Sequence, residues 1–147
     1  MQDSWVTNNQ YTASPDISAS LNGNVKNIGG SASLLSQAFC NDSTISTDPT
    51  TTDVYNQQEC AAKDPSATVN ATAQNIGGDF QSVALAAGNN FEEDTNAPYA
   101  PVQNYQVNSS ALTATNNTNV YNVKGSAAVV GSAIGNTAQI IHYNIGN

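Results

Sequence analysis

One arrangement of residues occurs three times along the chain at a nearly constant period. The segments that begin at Asn27, Asn75 and Asn122 start 48 and then 47 residues apart, and in each a glycine precedes a run of small apolar residues. A fixed period over most of a chain is typical of repeat proteins, in which each unit buries its apolar side against its neighbours. The sequence therefore predicts a single repeat domain spanning residues 1–147.

Each repeat contains three segments with the composition of short β-strands. Segment a is rich in Val, Tyr, Asn and Gln, segment b resembles Ser-Ala-Ser-x-Asn, and segment c carries the small apolar run. Such residues favour strands and turns over helices. With units at approximately 5–41, 53–89 and 101–136, we expect an all-β fold. The first choice is a β-solenoid of about three coils, with three short strands per unit of about 47 residues, and the alternative is a β-sandwich.

Glycine, asparagine and alanine recur at matching positions of the units. Glycine adopts a positive φ without steric cost, and Gly-Asn at the end of segment c is typical of a turn. The recurring alanine predicts a narrow interior, and the recurring asparagines predict ladders of amide hydrogen bonds. Since segment c is largely apolar on both sides, we expect it to be buried on both faces. The predicted turn and ladder residues are Gly29, Gly30, Asn41, Gly77, Gly78, Gly88, Asn89, Gly125, Gly135, Asn136, Ala38, Ala86 and Ala133.

The segments between repeats have the composition of loops. Residues 42–52 and 90–100 are rich in Asp, Thr and Pro, which predicts exposed loops. Residues 139–144 resemble segment a, so 139–147 is predicted to be a partial fourth unit.

A lone terminal strand has an unpaired edge to which a second copy could add a strand. The first and last a segments are therefore the predicted joint between subunits. The predicted interface residues are Trp5, Val6, Tyr11, Ile140, Ile141 and Tyr143.

The two cysteines, Cys40 and Cys60, predict a disulfide, because an even number of cysteines in a chain of secreted character usually forms pairs. Its loop of about 20 residues would contribute roughly 3 kcal/mol to stability. No signal-peptide pattern is visible at the start of the chain, so we expect a mature secreted protein whose leader is absent from this sequence.

The charge balance argues against two classes of partner. The chain has 11 acidic residues against three lysines and arginines together, and its formal net charge is −8. Such a surface repels the phosphates of nucleic acids and offers no basic patch to anionic lipid. Since no apolar run is long enough to span a bilayer, we expect no membrane insertion.

No residue pattern predicts catalysis or a cofactor. His142 is the only histidine, and no nucleophile–base signature, zinc spacing or phosphate loop accompanies it. The acidic run Glu92, Glu93 and Asp94 could bind calcium with loop carbonyls, but a solvated loop is the expected structure. A polysaccharide lyase on a β-helix would need clustered basic and acidic groups, and the chain contains no arginine. We expect a protein that is not an enzyme and binds no metal or cofactor.

Asn/Gln-rich units of strand, glycine turn and strand, with an alanine column and a terminal Gly-Asn, resemble secreted bacterial fibre proteins. The nearest are the curlin-like subunits and the curli-related holdfast-anchor proteins of stalked bacteria. The resemblance implies an extracellular, non-catalytic fibre or surface anchor, exported through an outer-membrane pore.

We therefore expect a secreted structural subunit at the bacterial cell surface, active in adhesion or biofilm formation. Its main partner would be another copy of itself in a head-to-tail homopolymer, with an export pore or anchor as a further partner. The alternative is an adhesin or phage-fibre-like module in which exposed tyrosines such as Tyr99 bind a glycan.

Overall fold

The computed structural model describes residues 4–14, 16–47, 52–97 and 99–143, which form nine β-strands. The first coil contains β1 (Ser4–Thr12), β2 (Ser18–Ile28) and β3 (Ala32–Thr47). The second contains β4 (Thr52–Cys60), β5 (Ser66–Ile76) and β6 (Phe80–Thr95). The third contains β7 (Val102–Asn108), β8 (Thr113–Val123) and β9 (Ala127–His142).

Equivalent strands of successive coils pair in parallel. The three sheets have the strand orders β1-β4-β7, β2-β5-β8 and β3-β6-β9. The register follows the sequence period, so that Val54 lies between Val6 and Val102. This arrangement confirms the predicted three-coil β-solenoid, and the β-sandwich alternative is not adopted.

The cross-section of the solenoid has two parts with different interiors. In the part that we call the apolar lobe, the β2-β5-β8 sheet packs on the first half of the β3-β6-β9 sheet through small side chains such as Ala67, Val69 and Ala84. In the part that we call the amide lobe, the second half of that sheet faces β1-β4-β7. There the side-chain amides of Asn89 and Gln58 donate to backbone carbonyl oxygens across the interior, at 2.7 and 2.9 Å.

The third strand of each coil is longer than the sequence predicts. The predicted Gly-Asn turns are wrong, because β3, β6 and β9 continue through Cys40, Gly88 and Gly135. At these positions the regular pairing skips one residue, and the inward side of the strand changes. In β3 and β6 it changes from even-numbered residues such as Ala86 to odd-numbered residues such as Phe91, and in β9, which follows β6 by 47 residues, it changes from odd-numbered to even-numbered residues. The residue pattern expected of a turn therefore marks a corner at which one strand passes from the apolar lobe to the amide lobe.

Asparagines, and not glycines, occupy the left-handed conformation. The predicted left-handed glycines are Gly29, Gly30, Gly77, Gly78 and Gly125. None of the described glycines has a positive φ, whereas Asn27, Asn75 and Asn122 have φ values of 57°, 58° and 51°. Glycine is needed for close approach between coils: a Cβ on Gly77 would collide with the carbonyl oxygen of Gly29, and one on Gly88 with that of Gly135.

The predicted exposed loops are wrong over most of their described length, although residues 96–97 and 99–100 lie outside the strands and Tyr99 is exposed. Residues 42–47 and 90–95 pair with each other in register as the second halves of β3 and β6. Phe91 and Glu93 are completely buried there, so the segment is interior and not a solvated loop. Residues 48–51 and 98 lie outside the described residues.

The residues predicted to begin a fourth unit instead complete the third strand of the third coil. Residues 139–142 pair with residues 92–95 as the last part of β9, so they are not a new segment a. Residues 144–147 lie outside the described residues.

Burial of segment c on both faces is not found. The inward side of β6 is buried, but the outward side of the same sheet is open, with Leu35 52% and Val130 43% exposed.

Candidate functional site

Ladders of identical amide side chains run along the interior of the amide lobe. The side-chain nitrogen of Asn8 donates to the oxygen of Asn56, and that of Asn56 to the oxygen of Asn104, both at 2.6 Å. Asn56 is fully buried, so these bonds satisfy polar groups that water does not reach. This ladder therefore buries its amide groups with hydrogen-bond partners.

A second inward ladder connects the corners of successive coils. The amide of Asn41 donates to Asn89 at 2.7 Å, and that of Asn89 to Asn136 at 2.8 Å. The second hydrogen of Asn41 reaches the backbone oxygen of Glu59, and that of Asn89 the backbone oxygen of Val107. Each asparagine thus joins two coils and also joins two sheets of the lobe.

A third inward ladder runs in the opposite direction. Gln106 donates to Gln58, and Gln58 donates to Gln10, both at 2.7 Å. The same opposite direction is found in two exposed ladders on the outside of the solenoid, which consist of Asn22–Asn70–Asn117 and Asn27–Asn75–Asn122. All five ladders therefore have a donor at one end of the stack and an acceptor at the other.

The five ladders are incomplete at the two ends of the stack. Within the described residues, β1, β2 and β3 pair on one side only, and so do β7, β8 and β9. The alanine column shows the consequence at the C-terminal end, where Ala133 in the third coil is exposed, whereas Ala38 and Ala86 in the first two coils are 4% and 0% exposed. We call these surfaces the N-terminal end and the C-terminal end.

The residues predicted to join subunits do not form one patch. Ile140 lies in an inward column at the C-terminal end, while Trp5 and Tyr11 alternate with inward residues and point outward from β1. Val6 is half-buried on the inward side of the same strand, and Tyr143 follows the end of β9.

The remaining predicted interface residue, Ile141, pairs with the half-buried Asp94 in a column next to that of Ile140, on the outward side of β9. The edges of three strands, and not one terminal strand, therefore make up each end.

Cys40 and Cys60 form the predicted disulfide, with their Cα atoms 5.8 Å apart. Cys40 lies in β3 of the first coil and Cys60 ends β4 of the second, so the bond crosses from one coil to the next. Their counterparts in the other coils are not cysteine, and this covalent link occurs once in the stack.

Replacing both cysteines with alanine is expected to lower the free energy of unfolding by about 3 kcal/mol, because the bond closes a loop of 20 residues in the unfolded chain. Denaturant unfolding of the oxidised protein and the variant would measure the difference. Addition of a reductant should shift the midpoint of the natural protein and leave that of the variant in place. Equal midpoints without reductant would contradict the expected contribution.

Glu93 is a buried carboxyl group without a hydrogen-bond partner. It is 0% exposed, and neither carboxylate oxygen accepts a hydrogen bond. Ile45 and Ile140 occupy the same column in the neighbouring coils. Burial raises the pKa of the Glu93 carboxyl above its usual range, and the charge of His142 opposes this increase without cancelling it.

Glu93→Gln is expected to stabilise the protein near neutral pH, because the change removes a buried charge. The folded state binds the Glu93 proton more tightly than the unfolded state, so the stability that this proton supplies is present at low pH and is lost as the pH rises through the folded pKa. The advantage of the variant should therefore shrink as the pH falls toward about 4. The inward residues of β4 carry no charge. His142 is therefore the titratable group whose charge affects the pKa of Glu93.

Unfolding curves at several pH values would measure the effect. Glu92→Gln is the matched control, because Glu92 is the half-buried neighbour on the outward side of the same strand. A difference between Glu93→Gln and the natural protein that stays constant with pH would contradict the assignment.

The acidic run 92–94 does not assemble a metal site. Glu93 points inward, while Glu92 and Asp94 lie on the other side of the strand. Across the described ranges no group of three or more His, Cys, Asp or Glu side chains is placed to hold a metal ion. The described chain also contains no helix that is long and apolar enough to span a membrane.

Sequence reasoning missed the glutamine ladder and the buried Glu93. The spacing of Gln10, Gln58 and Gln106 follows the repeat period, so the period alone could have revealed that ladder. Glu93 has no comparable signal, because its column contains isoleucine in the other two coils, at Ile45 and Ile140, and so does not repeat one residue type.

The fold and its ladders define the chain as a parallel β-solenoid of stacked repeats. A family model described as HfaD, holdfast attachment protein D, matches residues 3–146, so the chain belongs to the holdfast attachment protein D family. No curated protein and no solved structure matches it. The family confirms the holdfast-related part of the resemblance and a role in surface adhesion at the cell surface, while the curlin-like part is not confirmed.

Proposed function

We propose that the chain is a secreted structural subunit whose copies stack head to tail into an extracellular fibre or anchor. The observation that carries this proposal is the polarity of the five amide ladders. Each ladder repeats one residue type in all three coils and has a donor at one end and an acceptor at the other. The C-terminal end of one copy therefore complements the N-terminal end of the next.

The contacts across the joint would repeat those between coils. The side-chain nitrogen of Asn104, which donates to Gln106 within its own coil, would donate its other hydrogen to the side-chain oxygen of Asn8 in the next copy. Asn136 would donate to Asn41 in the same sense. The glutamine ladder would continue in the opposite direction, with Gln10 of the next copy as donor. No new type of contact is required, because the same side-chain hydrogen bonds already join the three coils within one chain at the same spacing and register.

The strand edges would add backbone hydrogen bonds to the contacts of the ladders. Three strands at each end present unpaired N–H and C=O groups within the described part of the chain, and an added copy would pair with all three at once. Such a contact joins two different surfaces and need not close into a ring, so it can extend as a fibre. An amyloid-like or a stacked-domain fibre would both use these edges.

A structural role outside the cell agrees with two further observations. The disulfide is a bond that persists in oxidising surroundings. Membership of a holdfast attachment family associates the chain with the cell surface. Export through an outer-membrane pore and attachment to a surface anchor are part of this proposal, as is the absence of catalysis.

Ala133→Lys is expected to abolish assembly and leave a folded monomer. Ala133 is exposed at the C-terminal end in the column of Ala38 and Ala86, so a joint would bury the added charge without a partner. Ala128→Lys is the matched control, because Ala128 is also exposed in β9 but pairs with Gln81 on the outward side. Negative-stain microscopy and sedimentation of the 147-residue chain would measure assembly.

Circular dichroism would verify that both lysine variants keep their strand content. Filaments from the control and from the natural protein, with monomers from Ala133→Lys, support the proposal. Filaments of unchanged width and repeat from Ala133→Lys, or the absence of filaments from the natural protein, would contradict it.

A further inference from the structure

The outward face of the β1-β4-β7 sheet carries a diagonal row of exposed aromatic side chains. Trp5, Tyr55 and Tyr105 come one from each coil and are 76%, 41% and 57% exposed. Tyr55 is paired with Thr7, two residues after Trp5, and Tyr105 is paired with Gln57, two residues after Tyr55. Each step along the row therefore moves one coil along the axis and two residues along the strand.

The spacing of this row follows from strand geometry. One coil step is about 4.8 Å and two residues span about 6.6 Å, so neighbouring aromatic residues lie about 8 Å apart and the whole row spans about 16 Å. The sheet beneath the row is continuous, because each pair of strands is in register. The row is therefore long enough to contact several units of an extended polymer.

Polar amides and carboxylates surround the aromatic residues on this face. Outward columns of the sheet hold Asn9, Gln57 and Gln103 beside the tyrosines. The hydroxyl of Tyr55 donates to the side-chain oxygen of Gln57 at 3.3 Å, which directs the ring along the strand. The face thus combines aromatic surfaces with hydrogen-bond donors and acceptors.

The charges on this face restrict the class of ligand. Asp53 and Glu59 occupy outward columns, whereas all three lysines of the chain, Lys26, Lys63 and Lys124, lie outside the strands of this sheet. Carboxylates repel an anionic polymer, and they attract amines. Nucleic acids, which also stack on aromatic rings, are disfavoured by the same charges and by the net charge of −8.

We propose that this aromatic face binds a polysaccharide that carries no negative charge. The positively polarised C–H groups of a sugar ring face the negative π surface of Trp or Tyr, and the sugar hydroxyls bond to the neighbouring amides. An amine-bearing sugar would gain a cation–π contact and the attraction of the two carboxylates. The proposal depends on this face alone and not on head-to-tail assembly.

Stacked copies would present the face repeatedly. Three coils advance the axis by about 14 Å, so a fibre would offer one aromatic row at each such step. Several weak sites on one long polymer act together, and the overall affinity exceeds that of a single row. A fibre that binds polysaccharide along its length would be suited to holding an adhesive matrix at a surface.

The test uses the Ala133→Lys protein, so that assembly and binding are measured separately. Affinity electrophoresis in gels with hydroxyethyl cellulose, chitosan or polygalacturonate supplies a neutral, a cationic and an anionic probe. Trp5 is the only tryptophan in the sequence, so its fluorescence reports contact with the face directly. We expect retardation and a fluorescence change with at least one of the first two probes and none with polygalacturonate.

Variants of single aromatic residues assign the site. Tyr55→Ala and Tyr105→Ala are each expected to weaken binding about three- to tenfold, and Tyr55→Phe should retain most of it because the ring is kept. Tyr121→Ala is the matched control, since Tyr121 is 56% exposed in the third coil but belongs to the β2-β5-β8 sheet. Its binding should equal that of the parent protein.

Several outcomes would overturn the proposal. One is the absence of binding to both the neutral and the cationic probe. Another is equal binding to polygalacturonate, and a third is equal loss of affinity in Tyr121→Ala. If the aromatic substitutions change self-association in sedimentation but leave polysaccharide binding intact, the face is covered by a second copy and the assignment is wrong.

Discussion

Replacing Phe91 with alanine is expected to lower the free energy of unfolding by about 3–5 kcal/mol. Phe91 is 0% exposed, and its neighbours in the column are the small residues Ser43 and Ala138. Small neighbours cannot expand to fill the space that the ring leaves, so the cavity term adds to the lost transfer energy. Denaturant unfolding monitored by circular dichroism would measure the change.

The stability change of Phe91→Ala distinguishes an interior strand from an exposed loop at this position. An exposed loop residue truncated to alanine usually changes stability by no more than about 0.5 kcal/mol. Tyr121→Ala is the control, because it removes an aromatic ring that is 56% exposed and should have an effect of that small size. A similar small effect for Phe91→Ala would show that residues 90–95 are not the interior strand described above.

Replacing Asn89 with alanine is expected to cost about 2–5 kcal/mol, because the change leaves two partly or fully buried partners unsatisfied. Asn89 accepts from Asn41 and donates to the backbone oxygen of Val107, and it is 0% exposed. Each orphaned buried group costs about 1–3 kcal/mol. Thermal and denaturant unfolding would both report the loss.

Asn70→Ala is the matched control for the buried ladder. Asn70 is also the middle member of an asparagine ladder, bonded to Asn22 and Asn117 at 3.1 Å, but this ladder is exposed. Water can replace the lost bonds there, so the cost should remain within about 1 kcal/mol. Equal costs for Asn70→Ala and Asn89→Ala would mean that burial of the ladder is not what makes it stabilising.

The fold class could be predicted because the repeat carries it. A period of 47 or 48 residues places alanine, asparagine and glycine at matching positions of the coils, and the structure pairs Ala38, Ala86 and Ala133 as the unit alignment requires. The disulfide followed from the number of cysteines. These features depend on residue type and spacing, which are visible without coordinates.

The assignment of residues 90–95 to a loop failed for a physical reason. Asn, Glu, Asp and Thr are ordinarily poor choices for an interior strand, and they usually mark exposed connections. In a stack of coils, however, an amide can find its partner in the coil above or below, so polar residues can be buried without loss of hydrogen bonds. Composition describes one coil at a time and therefore misses partners that are 47 or 48 residues away.

The sequence by itself determined that three units stack in register, because one gap-free alignment of the units matches the recurring glycines, asparagines and alanines. The tertiary structure decided which side of each strand faces inward, since the corners at Cys40, Gly88 and Gly135 change that side within a continuous strand. It also decided that the asparagines before the glycines take the left-handed conformation. Both depend on how the two lobes close around their interiors, and contacts between sheets, not the period along the chain, fix that closure.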